Sequence, residues 1–200
     1  YNIDKLNFST KKSNISLLNL KLNKNFEVIN FDKIKIKTFN KKVKNNDFSV
    51  TKLKKIIIYG EVFDSEPLLR SLYKENNKKT FSKNFTSDIK VNFDRVFTGS
   101  NDEISNFGMI ASISDGSYNK LSLKGNFSEN EIVEMSIYQI DKDKKTFQLI
   151  SDRARPFMKN FDFIEGFEGG KLEYESVISK ETTNSILTEF DLHLLNEGNH

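Results

Sequence analysis

The sequence DIKVNFD, residues 88–94, alternates polar and apolar side chains without a break. Ile89, Val91 and Phe93 fall on one side of an extended chain, and the charged and amide residues between them fall on the other. Strict period-two alternation is typical of a β-strand with one buried face and one solvated face. This stretch therefore predicts a strand, and repeated stretches of this kind predict a sheet with one apolar face.

The same alternation recurs on both sides of this stretch. Its apolar positions are Ile34 and Ile36; Met109, Ala111 and Ile113; Leu121 and Leu123; Met135 and Ile137; Phe147 and Leu149; Leu172 and Tyr174; and Ile186, Phe190 and Leu192. Turn-prone polar stretches separate them at 45–47, 99–102, 115–117, 125–126 and 141–144. This repeated order of strand and turn predicts a mainly β fold, a long curved antiparallel sheet shaped as a β-trough.

Two short helices are predicted to interrupt the strands, because Pro67 and Pro156 each precede the pattern apolar, apolar, x, x, apolar. Proline suits a first helical turn, where its missing N–H would have no partner. Asp64 or Ser65 can cap the first helix, and Ser151 or Asp152 the second. We expect both helices to lie on the apolar side of the sheet as a plug. The plug residues are Leu68, Leu69, Leu72, Phe157, Met158 and Phe161.

Composition argues against a nucleic-acid partner and against full disorder. The net charge is only +3, and only four of the 31 basic residues are Arg, the residue best suited to bidentate phosphate contacts. Eighteen Phe and six Tyr supply large side chains for burial. The lysine-rich stretches 33–44 and 52–55 are interpreted as solvated strand faces, with contact to phosphate head groups or nucleic acid as the alternative. The polar segment 75–83 is predicted to be a flexible loop.

No motif for catalysis, metal binding or cofactor binding is found in the sequence. His193 and His200, the two histidines, lack partners at metal-ligand spacing, and there is no Cys. The glycine-rich stretch 166–171 lacks the Ser or Thr and the following helix that a phosphate-binding loop requires. We therefore expect a non-enzymatic chain with no catalytic residue, metal site or cofactor.

A family resemblance emerges between Leu121 and Tyr174. The order Leu-Ser-Leu-Lys-Gly, a hairpin, Phe-Gln-Leu, Ser-Asp-Arg-Ala, Phe-Met-Lys and Gly-Gly-Lys-Leu resembles the C-terminal region of the AsmA-like envelope proteins, closest to the YhdP type. Upstream, residues 59–69 resemble that region's Gly-x-x-x-Asp-x-x-x-Leu-Leu element. The resemblance covers residues 56–192, and residues 1–200 are interpreted as one β-rich segment of a larger protein.

The resemblance implies an apolar β-groove that conducts phospholipids between the inner and outer membranes and so supports outer-membrane biogenesis. It places the chain in the periplasm of a Gram-negative bacterium, tethered to the inner membrane by a segment outside this chain. Phospholipid acyl chains would be the partners, with envelope proteins as further candidates. The groove candidates are Ile89, Val91, Phe93, Leu121, Leu123, Met135, Ile137, Phe147, Leu149, Leu172 and Tyr174. The alternative is a structural or adhesive β-rich surface protein whose apolar face is a closed core.

Overall fold

The fold, in a computed structural model, is a single open, curved β-sheet. The structure describes residues 1–68, 84–99, 102–141, 143–158, 170–180 and 186–195. Within them the sheet has thirteen strands. These are β1 (Asn2–Ser9), β2 (Ser13–Leu22), β3 (Val28–Asn30), β4 (Lys33–Asn40), β5 (Val43–Lys52), β6 (Ile56–Asp64), β7 (Ser87–Phe97), β8 (Glu103–Ser114), β9 (Ser117–Ser128), β10 (Glu131–Gln139), β11 (Lys144–Ser151), β12 (Lys171–Lys180) and β13 (Ile186–Leu195).

The strands follow one another in sequence order across the sheet, except that β3 pairs with β2 beside β4. The prediction of a mainly β, long curved sheet is confirmed. The prediction that the sheet is antiparallel is wrong for one pair of strands. β6 and β7 are parallel, with Ile56 opposite Ile89, whereas the other paired strands are antiparallel. A parallel pair needs a long crossover, and residues 65–86 are long enough to supply one.

The prediction of two short helices is not confirmed. Among the described residues, helix is limited to α1 (Arg155–Met158) and a helical turn at residues 66–68. Leu68 is 50% exposed, so its expected burial is wrong. Leu69, Leu72, Phe161 and the segment 75–83 lie outside the described residues, as does the side chain of Met158.

Two stretches predicted as turns are strand interiors. Residues 45–47 lie inside β5, and residues 125–126 lie inside β9. The chain turns instead at Lys41 and Lys42, which both have positive φ (47° and 75°), as a tight hairpin turn requires. Lysine is an unusual choice at such positions, so composition did not predict this turn. Asp115 and Gly116, where a turn was predicted, do adopt positive φ.

Candidate functional site

A continuous row of apolar residues crosses the sheet. Residues paired on neighbouring strands point to the same face, so the register can be followed from strand to strand. Starting at Val91, it gives one apolar residue on each of eleven neighbouring strands, β1 to β12 without β3. This apolar row is Leu6, Leu17, Ile34, Val50, Ile58, Val91, Met109, Leu123, Met135, Leu149 and Tyr174. Ten intervals of about 4.8 Å give the row a length of about 48 Å.

All eleven groove candidates lie on this face, which we call the apolar face. A second row runs beside the first and joins Ile89, Leu121, Ile137 and Phe147 through Ala111. Phe93 lies two residues beyond Val91, and Leu172 lies two before Tyr174, so alternation places both on the same face. We call the opposite side the polar face.

Exposure varies along the apolar face. Near its centre Val91 is 6% exposed and Leu149 is 7% exposed. At the β1 edge Leu6 is 43% exposed and Phe8 is 57% exposed. The centre of the face is therefore covered in this structure, whereas the β1 end is open to solvent.

Four phenylalanines pack together near the middle of the apolar face. The ring of Phe63 stacks on Phe93 with centroids 5.2 Å apart, and Phe48 meets both rings edge-on at 5.6 and 5.7 Å. Phe107 extends the group, 6.4 Å from Phe93. Gly60 pairs with both Phe48 and Phe93, and a Cβ there would lie 2.2 Å from the carbonyl oxygen of Asp47 and 2.5 Å from the Cβ of Phe48. The absence of a side chain at Gly60 lets the strands and rings approach.

The Ser-Asp-Arg-Ala stretch, which carried part of the resemblance, is a hydrogen-bonded turn at the end of β11. The Ser151 hydroxyl donates to the carbonyl of Arg153 (2.7 Å) and accepts from its N–H (3.2 Å). Asp152 accepts from the N–H of Ile132 (2.8 Å). Ala154 is fully buried, and its N–H donates to the carbonyl of Gly170 (2.8 Å). Ser151 and Asp152 therefore shape this turn, and neither is seen capping α1 as predicted.

This turn directs the chain onto the apolar face. Pro156 is buried, and Phe157 of α1 packs against the apolar cluster that contains Val91, Phe93, Leu149 and Leu172. Phe157 is the only predicted plug residue other than Leu68 whose side chain the structure describes. Its contact helps to cover the centre of the face.

Arg153 joins three separate parts of the chain. Its guanidinium contacts Glu131 at 2.5 Å and Asp102 at 3.1 Å, and it lies 5.3 Å from the ring centroid of Phe127. The hydrogen bond with Arg153 lowers the pKa of Glu131, and the same bond raises the pKa of Arg153. Sequence reasoning missed this role, because Asp102 and Glu131 come near Arg153 only once the strands pair.

A chain of ion pairs, which the sequence did not predict, lies on the polar face. Asp47 contacts Lys37 at 3.4 Å and Lys44 at 3.3 Å. Lys44 also pairs with Glu61, which contacts Arg95 (3.5 Å), so the chain links β4 to β7. The hydrogen bond between Lys44 and Glu61 raises the pKa of Lys44 and lowers that of Glu61. Part of the lysine-rich stretch 33–44 is therefore paired with carboxylates on the same sheet.

The described residues contain no group of three or more His, Cys, Asp or Glu side chains placed to hold a metal ion. No helix among them is both long and apolar enough to cross a membrane. His200 and the side chain of His193 fall outside the described part. No family model, curated protein or solved structure matches the chain.

Proposed function

We propose that this chain is a segment of an AsmA-like envelope protein and carries phospholipid acyl chains along its apolar face. The observation that supports the proposal best is the apolar row, which has an apolar side chain on each of eleven neighbouring strands. Under this proposal the chain works in the periplasm of a Gram-negative bacterium, tethered to the inner membrane by a segment outside it. Its task is to move phospholipids between the two membranes.

The physical basis is burial without specific recognition. Each acyl methylene that leaves water for an apolar surface gains about 0.8 kcal/mol, so a chain of many methylenes is held without any hydrogen bond. A row about 48 Å long exceeds the roughly 30 Å hydrocarbon core of a bilayer, so an acyl chain could shift along it in small steps. Such a process needs no catalytic group.

The covered centre has a role in this proposal. Phe157 lies against the central cluster, and we propose that the turn that begins at Pro156 plugs this part of the apolar face. An acyl chain would displace it or pass beside it. The open β1 end, where Leu6 and Phe8 are exposed, would then be the part of the face that is free to receive lipid.

The low exposure of the centre also favours a second function. If Val91, Phe93 and Leu149 stay below 10% exposure in solution, their face is a dry core. The chain would then be a structural or adhesive β-rich surface protein with no lipid transport. The two functions differ in one property: lipid must reach the apolar face in the first and is excluded from it in the second.

A matched pair of charge substitutions tests the proposal. Leu123 lies in the apolar row, and its neighbour Ser122 points to the polar face. Leu123→Asp places a carboxylate among apolar residues, which an acyl chain cannot solvate, so lipid binding should be lost. Ser122→Asp adds the same charge to the polar face and should leave binding unchanged. Binding is measured as radiolabelled phospholipid retained by folded protein. Equal retention by the two variants would contradict the proposal.

A further inference from the structure

A depression lies on the polar face, opposite the apolar row. Its volume is about 570 Å³, and it spans β7 to β11. Its polar lining includes Lys90, Asn92, Ser122, Lys124, Ser136 and Gln148. The register aligns Ser122, Ser136 and Gln148 across β9, β10 and β11. These side chains are therefore neighbours on one surface.

The depression arises from side-chain size. Gly108, Ser122 and Ser136 have small side chains or none, and longer side chains surround them on β7, on β11 and on the middle strands, where Lys124 and Glu134 lie. Ile110, which is 51% exposed, supplies an apolar patch within it. The site therefore combines a floor of short residues with longer polar side chains around it, and apolar atoms, including those of Ile110 and Ile150, form the larger share of its exposed lining.

The polar side chains that line this depression make no side-chain hydrogen bond or ion pair with any described residue. This differs from the ion-pair chain on β4 to β7, where Lys44 and Glu61 hold each other. Hydroxyl, amide and ammonium groups that have no protein partner in the folded state are hydrated. A ligand can therefore replace that water without removing a contact that stabilises the fold.

The chemistry of the lining suits a sugar. Lys90 and Lys124 are partly balanced by Glu134, so the depression has little net charge and does not favour a polyanion. Amide and hydroxyl groups can donate to and accept from sugar hydroxyls. The exposed Ile110 offers contact to the C–H face of a pyranose ring.

A second depression of similar composition lies on the same face. Its volume is about 430 Å³, and Asn7, Asn14, Ser16 and Lys35 line it. The register connects the two depressions through a row of polar residues and one aromatic residue. This polar row is Asn7, Ser16, Lys35, Ser49, Tyr59 and Asn92. Tyr59 is 45% exposed between the depressions, and its hydroxyl accepts a hydrogen bond from the Lys33 ammonium (3.1 Å).

We propose that the polar face binds a linear oligosaccharide that lies across the strands, with the depression at β7 to β11 as the principal subsite. Exposed Tyr59 would give the polymer a further contact between the two depressions, since Ser49 in the same row is buried. This site is independent of lipid carriage, because it uses the opposite face of the sheet. Its openness to solvent predicts weak binding, with a Kd on the order of 0.1–1 mM.

The test is a nuclear magnetic resonance titration of the ¹⁵N-labelled 200-residue chain with chitotetraose and, separately, with cellotetraose. We expect saturable shifts in the backbone amides of Asn92, Ser122 and Ser136 with at least one of the two sugars. Asn92→Ala combined with Gln148→Ala should weaken binding at least about fivefold, because each removes a hydrogen-bonding amide. Asp88→Ala is the matched control, since Asp88 is an exposed residue on the same face of β7 outside the depression.

Each outcome decides the proposal. The spectrum of each variant checks its fold, which should persist because the side chains of Asn92 and Gln148 make no hydrogen bond or ion pair within the described part of the chain. No saturable shift with either sugar would overturn the proposal, as would equal binding by the double variant and the wild type. Inorganic phosphate is titrated as a further probe. If phosphate produced the same shifts and neither sugar did, the depression would be an anion site and the proposal would fail.

Discussion

Two strand glycines that differ in their surroundings provide a sharp test of the register. At Gly60 a Cβ would lie 2.2 Å from the Asp47 carbonyl oxygen and 2.6 Å from the Cα of Phe48. At Gly108 the nearest atom to a Cβ is the Asn92 Oδ1 at 3.9 Å, which is ordinary contact. The same substitution, glycine to alanine, should therefore have opposite effects at the two sites.

The magnitudes follow from these contacts. Gly60→Ala drives a methyl group into backbone atoms that cannot rotate away, and such overpacking costs about 1–3 kcal/mol or more. Gly108→Ala meets no obstacle and restricts the unfolded chain, which stabilises by about 0.4–1 kcal/mol. The two variants should thus differ in their free energy of unfolding by at least about 1.4 kcal/mol.

The measurement is urea unfolding followed by far-ultraviolet circular dichroism, since the chain has no Trp for fluorescence. The wild type, Gly60→Ala and Gly108→Ala are compared at equal protein concentration. A lower midpoint for Gly60→Ala with an unchanged m-value supports the close strand approach at β5 and β6. Equal midpoints for the two variants, or a stable Gly60→Ala, would refute that geometry.

Three further predictions concern stability. Leu149→Ala should lower the free energy of unfolding by about 2–4 kcal/mol because the side chain is buried. Ile110→Ala on the polar face should lower it by under about 1 kcal/mol, and urea unfolding measures both variants. Arg153→Ala should lower the free energy of unfolding by about 1 kcal/mol. A double-mutant cycle with Glu131→Gln should show a coupling energy above zero. Additive effects of the two substitutions would exclude the ion pair as a stabilising contact. Folding lowers the pKa of Glu61 and of Glu131 from the ordinary value of 4.5. Each ionised carboxylate therefore stabilises the folded state fully above about pH 4.5, and this stabilisation is lost as the pH falls through the pKa of the folded state. The Glu61→Gln/Glu131→Gln variant should therefore be less stable at neutral pH and lose less stability on acidification, as urea midpoints across the acid range will show.

Alternation predicted the strands and their apolar faces, because side-chain direction in a strand depends only on local geometry. Ile89, Leu123 and Leu149 lie far apart in sequence, yet each occupies the apolar phase of its own strand. Pairing then aligns these phases, since a slip of one residue would expose the apolar set. The common face of the eleven groove candidates follows from this simple constraint.

Features that depend on two strands meeting could not be predicted this way. The parallel pairing of β6 with β7 is decided by a crossover, which leaves no periodic signal in either strand. The 125–126 stretch looked like a turn, but Gly125 lies inside β9, where a Cβ would be 2.4 Å from the Cγ2 of Ile104. Arg153 likewise meets Asp102 and Glu131 only through tertiary pairing. A glycine can occupy a turn or a strand interior, and a charged residue can be solvated or paired. Only the contacts made in the folded chain decide which of these occurs.

Access of lipid to the apolar face separates the two proposed functions, and site-specific photo-crosslinking measures that access. A photoreactive amino acid is placed at Leu123 or Ser122 near the centre of the sheet, and at Leu17 or Ser16 near the β1 edge. Leu123 and Leu17 belong to the apolar row, and their serine neighbours point to the polar face. After irradiation with phospholipid vesicles, we expect lipid adducts at both leucine positions and few at either serine position. Equal labelling of leucine and serine positions, or labelling at the serines alone, would contradict it.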